Sequence, residues 1–197
     1  YANYWMHAGA VRVNNEKMSK SLGNFFTIRE ILDKYHPEVV RYLLLASHYR
    51  SAINYSEENL QTARTALERF YTALRDLNNV QVKELSELDQ TNPFVARFIN
   101  EMDDDFGTPE AMANLFELAR QLNSVRAANN DAEAQELASI LKSLGAVLGI
   151  LQADPTSFLQ AGGSDDLSAE AIEELIAKRQ QAKKDKQFAL ADQIRDD

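Results

Sequence analysis

From residue 56 onward, apolar side chains recur at alternating intervals of three and four. Leu60, Ala63, Leu67, Phe70, Leu74 and Leu77 form such a series, which predicts a helix from Glu57 to about Asn78 with one face packed on other helices. Ser56 precedes it as a candidate N-cap. Asn92-Pro93 opens a second helix by the cap-then-proline rule, with Phe94, Val95, Phe98, Ile99 and Met102 inward. Thr108-Pro109 starts a third, carrying Met112, Leu115, Phe116, Leu118, Ala119, Leu122 and Val125. A fourth spans roughly 131–151 through Leu137, Ile140, Leu141, Leu144, Val147, Leu148 and Leu151. Four such helices with short or moderate links pack naturally as an antiparallel bundle. Residues 79–91 are polar and acidic without a sustained period and read as a linker.

The pattern is different on either side of this bundle. Gly9 to Val13 alternates as a short strand, with Val11 and Val13 on one face, and a lone strand needs partners from elsewhere. Thr27 and Glu30 fit a capping box ahead of Ile31, Leu32 and Tyr35. Pro37 suits the first position of a helix whose Val39, Val40, Tyr42, Leu43, Leu44 and Leu45 predict burial on most sides, leaving Arg41 and Arg50 outward near Arg29. Residues 152–167, with Pro155, Gly162, Gly163 and Ser164, read as a second linker. Ser168 then caps a helix through about Lys184, with Ile172, Leu175 and Ile176 inward. The chain is thus mainly α. It divides into residues 1–55 with a strand and a lysine-bearing loop, a bundle at 56–151, a linker at 152–167 and a helical segment at 168–197.

Composition adds boundaries to this picture. A chain of 197 residues with 45% hydrophobic and 26% charged side chains can bury a core in one domain or two smaller ones. No apolar run is long enough to span a bilayer, and with 0 Cys there is neither a disulfide nor a thiolate metal site; this reads as a cytoplasmic protein. The first residue is Tyr and a helical pattern is still running at the last, so an excised piece of a longer protein is expected. The net charge of −9 speaks against nucleic-acid binding, yet its distribution is uneven. Residues 1–50 carry 7 Lys/Arg against 4 Asp/Glu, residues 101–150 carry 3 against 9, and five bases with one acid lie between Lys178 and Lys186. A chain that grips RNA at two places and repels it between fits this distribution, and a plain acidic protein with two basic faces fits it equally well, so charge alone does not decide.

The chemistry concentrates in Lys17-Met18-Ser19-Lys20-Ser21, followed by Leu22-Gly23-Asn24. Two ammonium groups on a short polar loop suit phosphate oxygens, and the neighbouring hydroxyls can donate to the same anion. A solvated charged turn is the plain alternative, but chance would produce the pentapeptide in a chain of this size only on the order of once in ten thousand. There is no Gly-x4-Gly-Lys-Ser/Thr, so this is not a Walker A loop. Asp103-Asp104-Asp105 invites a metal reading. Three consecutive carboxylates at a helix end point apart, however, and no calcium-type loop follows, so a structural role is expected.

These residues carry a resemblance. Lys17 to Ser21 resembles the second signature of class I aminoacyl-tRNA synthetases. Tyr4-Trp5-Met6-His7-Ala8-Gly9, Gly23-Asn24-Phe25-Phe26-Thr27, His48-Tyr49-Arg50-Ser51, Asn54 to Leu60 and Met102 to Pro109 are similar to the cysteinyl-tRNA synthetase family in particular. The resemblance implies a cysteine-tRNA ligase, its partners ATP with Mg, cysteine and cysteine tRNA, acting as a monomer. Lys20 and less directly Lys17 would be catalytic, with Lys17, Met18, Ser19, Lys20 and Ser21 as the ATP-binding set. It implies tRNA contacts at Arg41 and Arg50, and anticodon contacts at Lys183, Phe188 and Asp192, where Lys183 stands for a frequent Arg. Read from the residues alone, those arginines are ordinary surface groups and Phe188 belongs to a core. His7 reads either as structural or, by the resemblance, as close to the amino-acid pocket.

The His-x-Gly-His signature and the cysteines that hold zinc in this family are absent from the chain. No metal site is therefore expected here, and these 197 residues alone are expected to be inactive. Three competing readings stay open. A related cysteine ligase of thiol biosynthesis would need neither the bundle nor the 178–192 segment; another class I synthetase would lack the Met102–Pro109 match; a non-catalytic helical RNA- or protein-interaction module would make the basic loop incidental.

Overall fold

The computed structural model describes residues 1–77, 79–161, 169–184 and 187, the backbone alone for 169–173. Its elements are β1 (Val11–Val13), β2 (Glu16–Lys17), α1 (Ile28–Leu32), α2 (Pro37–Leu45), β3 (Ile53–Tyr55), α3 (Glu57–Leu74), α4 (Pro93–Asp103), α5 (Thr108–Ala127), α6 (Asp131–Leu148), α7 (Pro155–Gln160) and α8 (Ala169–Lys184). Residues 1–159 form one compact unit and residues 160–197 a second. The fold is mainly helical, as the apolar spacing predicts.

Local chemistry sets the helix starts. Thr27 caps α1 in a reciprocal box with Glu30, Ser56 Oγ accepts from the Asn59 amide at the head of α3, and Asn92 Oδ1 accepts from the Phe94 amide at the head of α4. His36 is an unforeseen cap: its Nδ1 accepts the Glu38 amide at 3.2 Å, just ahead of Pro37. Two ends come earlier than periodicity predicts. The α3 helix stops at Leu74, where Arg75 turns extended and Asp76 enters the left-handed region at φ +66°. The α6 helix stops at Leu148, where Gly149 at φ +69° and the Ile150-to-Gly145 hydrogen bond close a Schellman-type end.

One hydrophobic core runs from Val39 through α3, α4, α5 and α6 to Phe158. The predicted seam of α3 is buried at Leu60, Ala63, Leu67, Phe70 and Leu74, joined by Tyr71 and Ala73, while Leu77 is only partly covered. In α2, Val39, Tyr42 and Leu43 are buried but Leu44 is 46% exposed, so that helix is less enclosed than its composition predicts. The 79–91 linker is not loose: the Lys83 amide donates to Ser143 Oγ and Ser139 Oγ donates to the Gln81 carbonyl, tacking it along α6.

The expected second linker contains α7. Phe158 is 2% exposed, stacked on Tyr71 with ring centroids 4.1 Å apart and met edge-on by His36 at 4.9 Å. In the second unit, α8 places Leu175 half-buried and Ile176 exposed rather than inward; the side chain of Ile172 and all of Ser168 lie outside the described residues.

The strand predicted at 9–13 finds its partners. The sheet order is β2-β1-β3, with β1 antiparallel to β2 and parallel to β3, Val11 opposite Ile53 and Val13 opposite Tyr55. Val13 is buried, whereas Val11 on the same face is 39% exposed. Gly9 is needed here for space: its amide donates to the Tyr49 carbonyl at 2.8 Å, and a Cβ would overlap the Ser51 carbonyl.

Candidate phosphate-binding loop

The lysine loop leaves the sheet from the far end of a tight hairpin. Asn14 and Asn15 join β1 to β2 at φ +49° and +67°, the paired left-handed conformation of a two-residue hairpin turn, which asparagine tolerates. Asn54 on β3 steadies the turn, its Oδ1 accepting the Asn15 amide at 2.7 Å. Lys17 ends β2 and begins the loop.

Asn24 staples the loop from its other end. Its Oδ1 accepts the Ser19 amide at 2.8 Å and its Nδ2 donates to the Lys17 carbonyl at 3.2 Å. Ser19 Oγ lies 3.2 Å from Ser21 Oγ and accepts from the Leu22 amide, and the Gly23 amide donates to the Lys20 carbonyl. Gly23 sits at φ +67° with open space where a Cβ would point, so its requirement is conformational. The loop is therefore internally bonded through its polar side chains while Lys17 and Lys20 are exposed. The Lys20 ammonium rests 5.5 Å from the ring centroid of Phe25, itself 47% exposed, a cation–π contact that an anion can displace.

Beside Phe25 opens a cleft of about 780 Å³ walled by Phe25, Phe26, Tyr35 and Tyr55. Its rim carries Glu30, Asp33, Glu57 and Glu58 against Lys34, so it repels a polyphosphate. Lys17 and Lys20 are not among the residues that line it.

The other expected site residues are dispersed. Arg41 is exposed on α2 and its guanidinium lies over Gly149, where a Cβ would come within 2.9 Å of Nη1. A cation there favours the negative end of α6. Arg50 is paired: its Nε donates to Asp105 Oδ2 at 2.8 Å and its Nη2 to Oδ1 at 3.0 Å. Tyr49 also donates to Oδ1, at 2.7 Å, and His48 Nε2 lies 2.9 Å from the Asp105 carbonyl. These hydrogen bonds, from Arg50 first and Tyr49 second, hold the Asp105 carboxyl below its usual range. Asp105 thus spends both its carboxylate and its carbonyl on residues 48–50.

Lys183 is exposed in the last turn of α8; Phe188 and Asp192 lie outside the described residues. His7 is exposed. Among the described residues no three His, Cys, Asp or Glu side chains come together as a metal site, so these side chains do not fit the zinc that the resemblance implies for the family. No helix among them is long and apolar enough to cross a membrane.

Two family models match parts of the chain. Residues 1–65 match the family model described as the tRNA synthetases class I (C) catalytic domain, and residues 97–152 match the DALR domain. Over its full length the chain is 59% identical to the cysteine–tRNA ligase of Azotobacter vinelandii, and 57% identical to those of Stutzerimonas stutzeri and Pseudomonas entomophila. In each case it spans 41% of the relative's length.

Proposed function

Because the chain belongs to the cysteine–tRNA ligase family, aligning along all of its own length and 41% of its relatives', we propose that it supplies such a ligase with its phosphate-binding loop and its RNA-docking helices. The reaction of the whole ligase is activation of cysteine followed by transfer. The cysteine carboxylate attacks the α-phosphate of ATP and pyrophosphate departs; the cysteinyl group then passes from the adenylate to the 3′ end of cysteine tRNA and AMP leaves. Mg²⁺ brought with ATP would offset phosphate charge. The setting is the cytoplasm and the ligase acts as a monomer. Zinc enters no step assigned to these residues.

The observation that carries the proposal is the bonded loop with its two exposed lysines. Asn24, Ser19 and Gly23 fix the main chain, so little order remains to be imposed when the anion arrives. Lys20, and less directly Lys17, meets the charge that develops on departing pyrophosphate, with Met18, Ser19 and Ser21 completing the contact. Arg41, Arg50, Lys183, Phe188 and Asp192 form the proposed tRNA set. Within it Arg50 reaches RNA only beside the Asp105 carboxylate, which makes it the weakest member. The 197 residues alone make no cysteinyl adenylate, since they carry neither the His-x-Gly-His signature nor a cysteine-selecting thiolate site.

ATP–pyrophosphate exchange by the complete ligase tests this. Lys20→Ala lowers the exchange rate roughly 100- to 1000-fold, the usual consequence of removing one preorganised charge-stabilising donor. Wild-type exchange in that variant refutes the assignment.

A further inference from the structure

The α4–α5 corner is held in a conformation its own residues disfavour. Asp105 and Phe106 take φ of +53° and +56°, where a Cβ crowds the backbone, while the next residue, Gly107, which could adopt that region freely, stays at φ −66°. Burial does not explain the strain, because Phe106 is 52% exposed. Contacts from one short segment do: Arg50 Nε and Nη2 and the Tyr49 hydroxyl meet the Asp105 carboxylate, His48 Nε2 meets its carbonyl, and the Tyr49 ring stands edge-on to Phe106 with centroids 6.2 Å apart. Exposed ion pairs add little stability in water. So many groups aimed at one exposed carboxylate make better sense as fixed geometry.

That geometry leads to the lysine loop. The segment gripping Asp105 also grips β1: the Tyr49 carbonyl accepts the Gly9 amide at 2.8 Å, and the Ile53 amide donates to the Ala10 carbonyl at 3.1 Å. In turn β1 pairs with β2, Arg12 opposite Lys17. An unbroken series of bonded contacts joins Asp105, Tyr49, Gly9, Arg12 and Lys17.

We infer that Asp105 is a positioning residue for the phosphate-binding lysines: by anchoring residues 48–50 to the bundle it sets β1, and through the hairpin it sets the point where the lysine loop leaves the sheet. This rests on the reading of that loop given above. It assigns the helical bundle a part in amino-acid activation before any RNA is bound.

The test is ATP–pyrophosphate exchange by the complete ligase with no tRNA present, alongside hydrogen exchange of the same variants. Asp105→Asn keeps the side-chain size and an acceptor for Tyr49 but loses the charge that holds Arg50. The expected result is a fall of about tenfold in kcat with little change in the KM for cysteine, as follows from a small displacement of a catalytic group. Arg50→Ala, Asp105→Ala and the double variant lose about the same activity, since each breaks one linkage. Amides at 9–17 exchange faster in Asp105→Asn, while those of α5 and α6 do not. Wild-type exchange in Asp105→Asn, with Lys20→Ala inactive, overturns the inference alone. Activity lost together with faster hydrogen exchange throughout the bundle also overturns it, by making Asp105 a folding residue. An active Lys20→Ala removes the loop reading and this inference with it.

Discussion

Tyr71 donates its hydroxyl to Glu38 Oε2 at 2.7 Å inside the core, and the rest of that carboxylate is taken up by main chain more than a hundred residues away. Leu151, Gln152 and Ala153 all donate amides to it, at 2.9, 2.9 and 3.3 Å, and the Ala153 amide also donates to the Tyr71 oxygen. Burial, and then the Glu38 contact, push the Tyr71 hydroxyl far above the ordinary tyrosine range, so it stays protonated and keeps donating. The carboxylate serves as the acceptor that lets residues 151–153 leave α6 and run over α2.

Removing that acceptor strands several donors at once. Glu38→Ala is expected to cost about 3–5 kcal/mol, because each unsatisfied buried group costs roughly 1–3 kcal/mol and water recovers some of them. Glu38→Gln costs less but remains destabilising, since its amide NH₂ must face an N–H or a hydroxyl. Urea unfolding followed by circular dichroism reads both; a midpoint unchanged in Glu38→Ala contradicts the assignment.

Two glycines separate space from conformation. Gly9→Ala forces a methyl into the Ser51 carbonyl and should disrupt the seam between β1 and the 49–53 segment, with accelerated hydrogen exchange across residues 9–17. Gly23→Ala meets no atom and bears only the left-handed backbone, a cost of about 1 kcal/mol. Thermal unfolding should rank Gly9→Ala well below Gly23→Ala, and the reverse order contradicts the seam.

Asp105 makes a pH prediction whose sign follows from its contacts. Its folded pKa lies below the ordinary 3.8, with the Arg50 hydrogen bond as the largest cause and Tyr49 next. The stability it contributes is therefore fully present above that ordinary value and is lost only as pH falls through the lower, folded one. Carboxyl-carbon NMR titration should show Asp105 protonating later, on acidification, than an unpaired aspartate. In Arg50→Ala its midpoint should move back up.

RNA docking should discriminate by sequence as well as charge. Titration of the complete ligase with cysteine tRNA should weaken steeply with salt, as phosphate contacts require. An anticodon-substituted tRNA should bind more weakly at every salt concentration. Lys183→Ala should flatten the salt dependence by about one unit of slope. Equal binding of both RNAs would favour a general helical interaction module.

Features set within four residues were legible in the sequence. The caps at Thr27, Ser56 and Asn92 and the seam of α3 depend on neighbours in the chain, and periodicity exposes them. The lysine loop stood out by its literal residues, but its Asn24 staple did not, because a side chain bonding back across seven residues leaves no periodic trace. Three-residue β3 and six-residue α7 are too short for a pattern to distinguish from linker. Arg50 and Asp105 are 55 residues apart, so one read as free surface and the other as part of an acidic run. Glu38 was invisible for the same reason, since its ligands are chosen by tertiary packing.

The two cross-braces, Glu38 to residues 151–153 and Arg50 to Asp105, bear on how this body responds to a break in its covalent chain. Both join the first fifty residues to places beyond residue 100, and residues 81 and 83 are bonded along α6. A protease cut among residues 84–91 would leave two pieces still clasped to each other. They should co-elute until urea or acid opens the clasps.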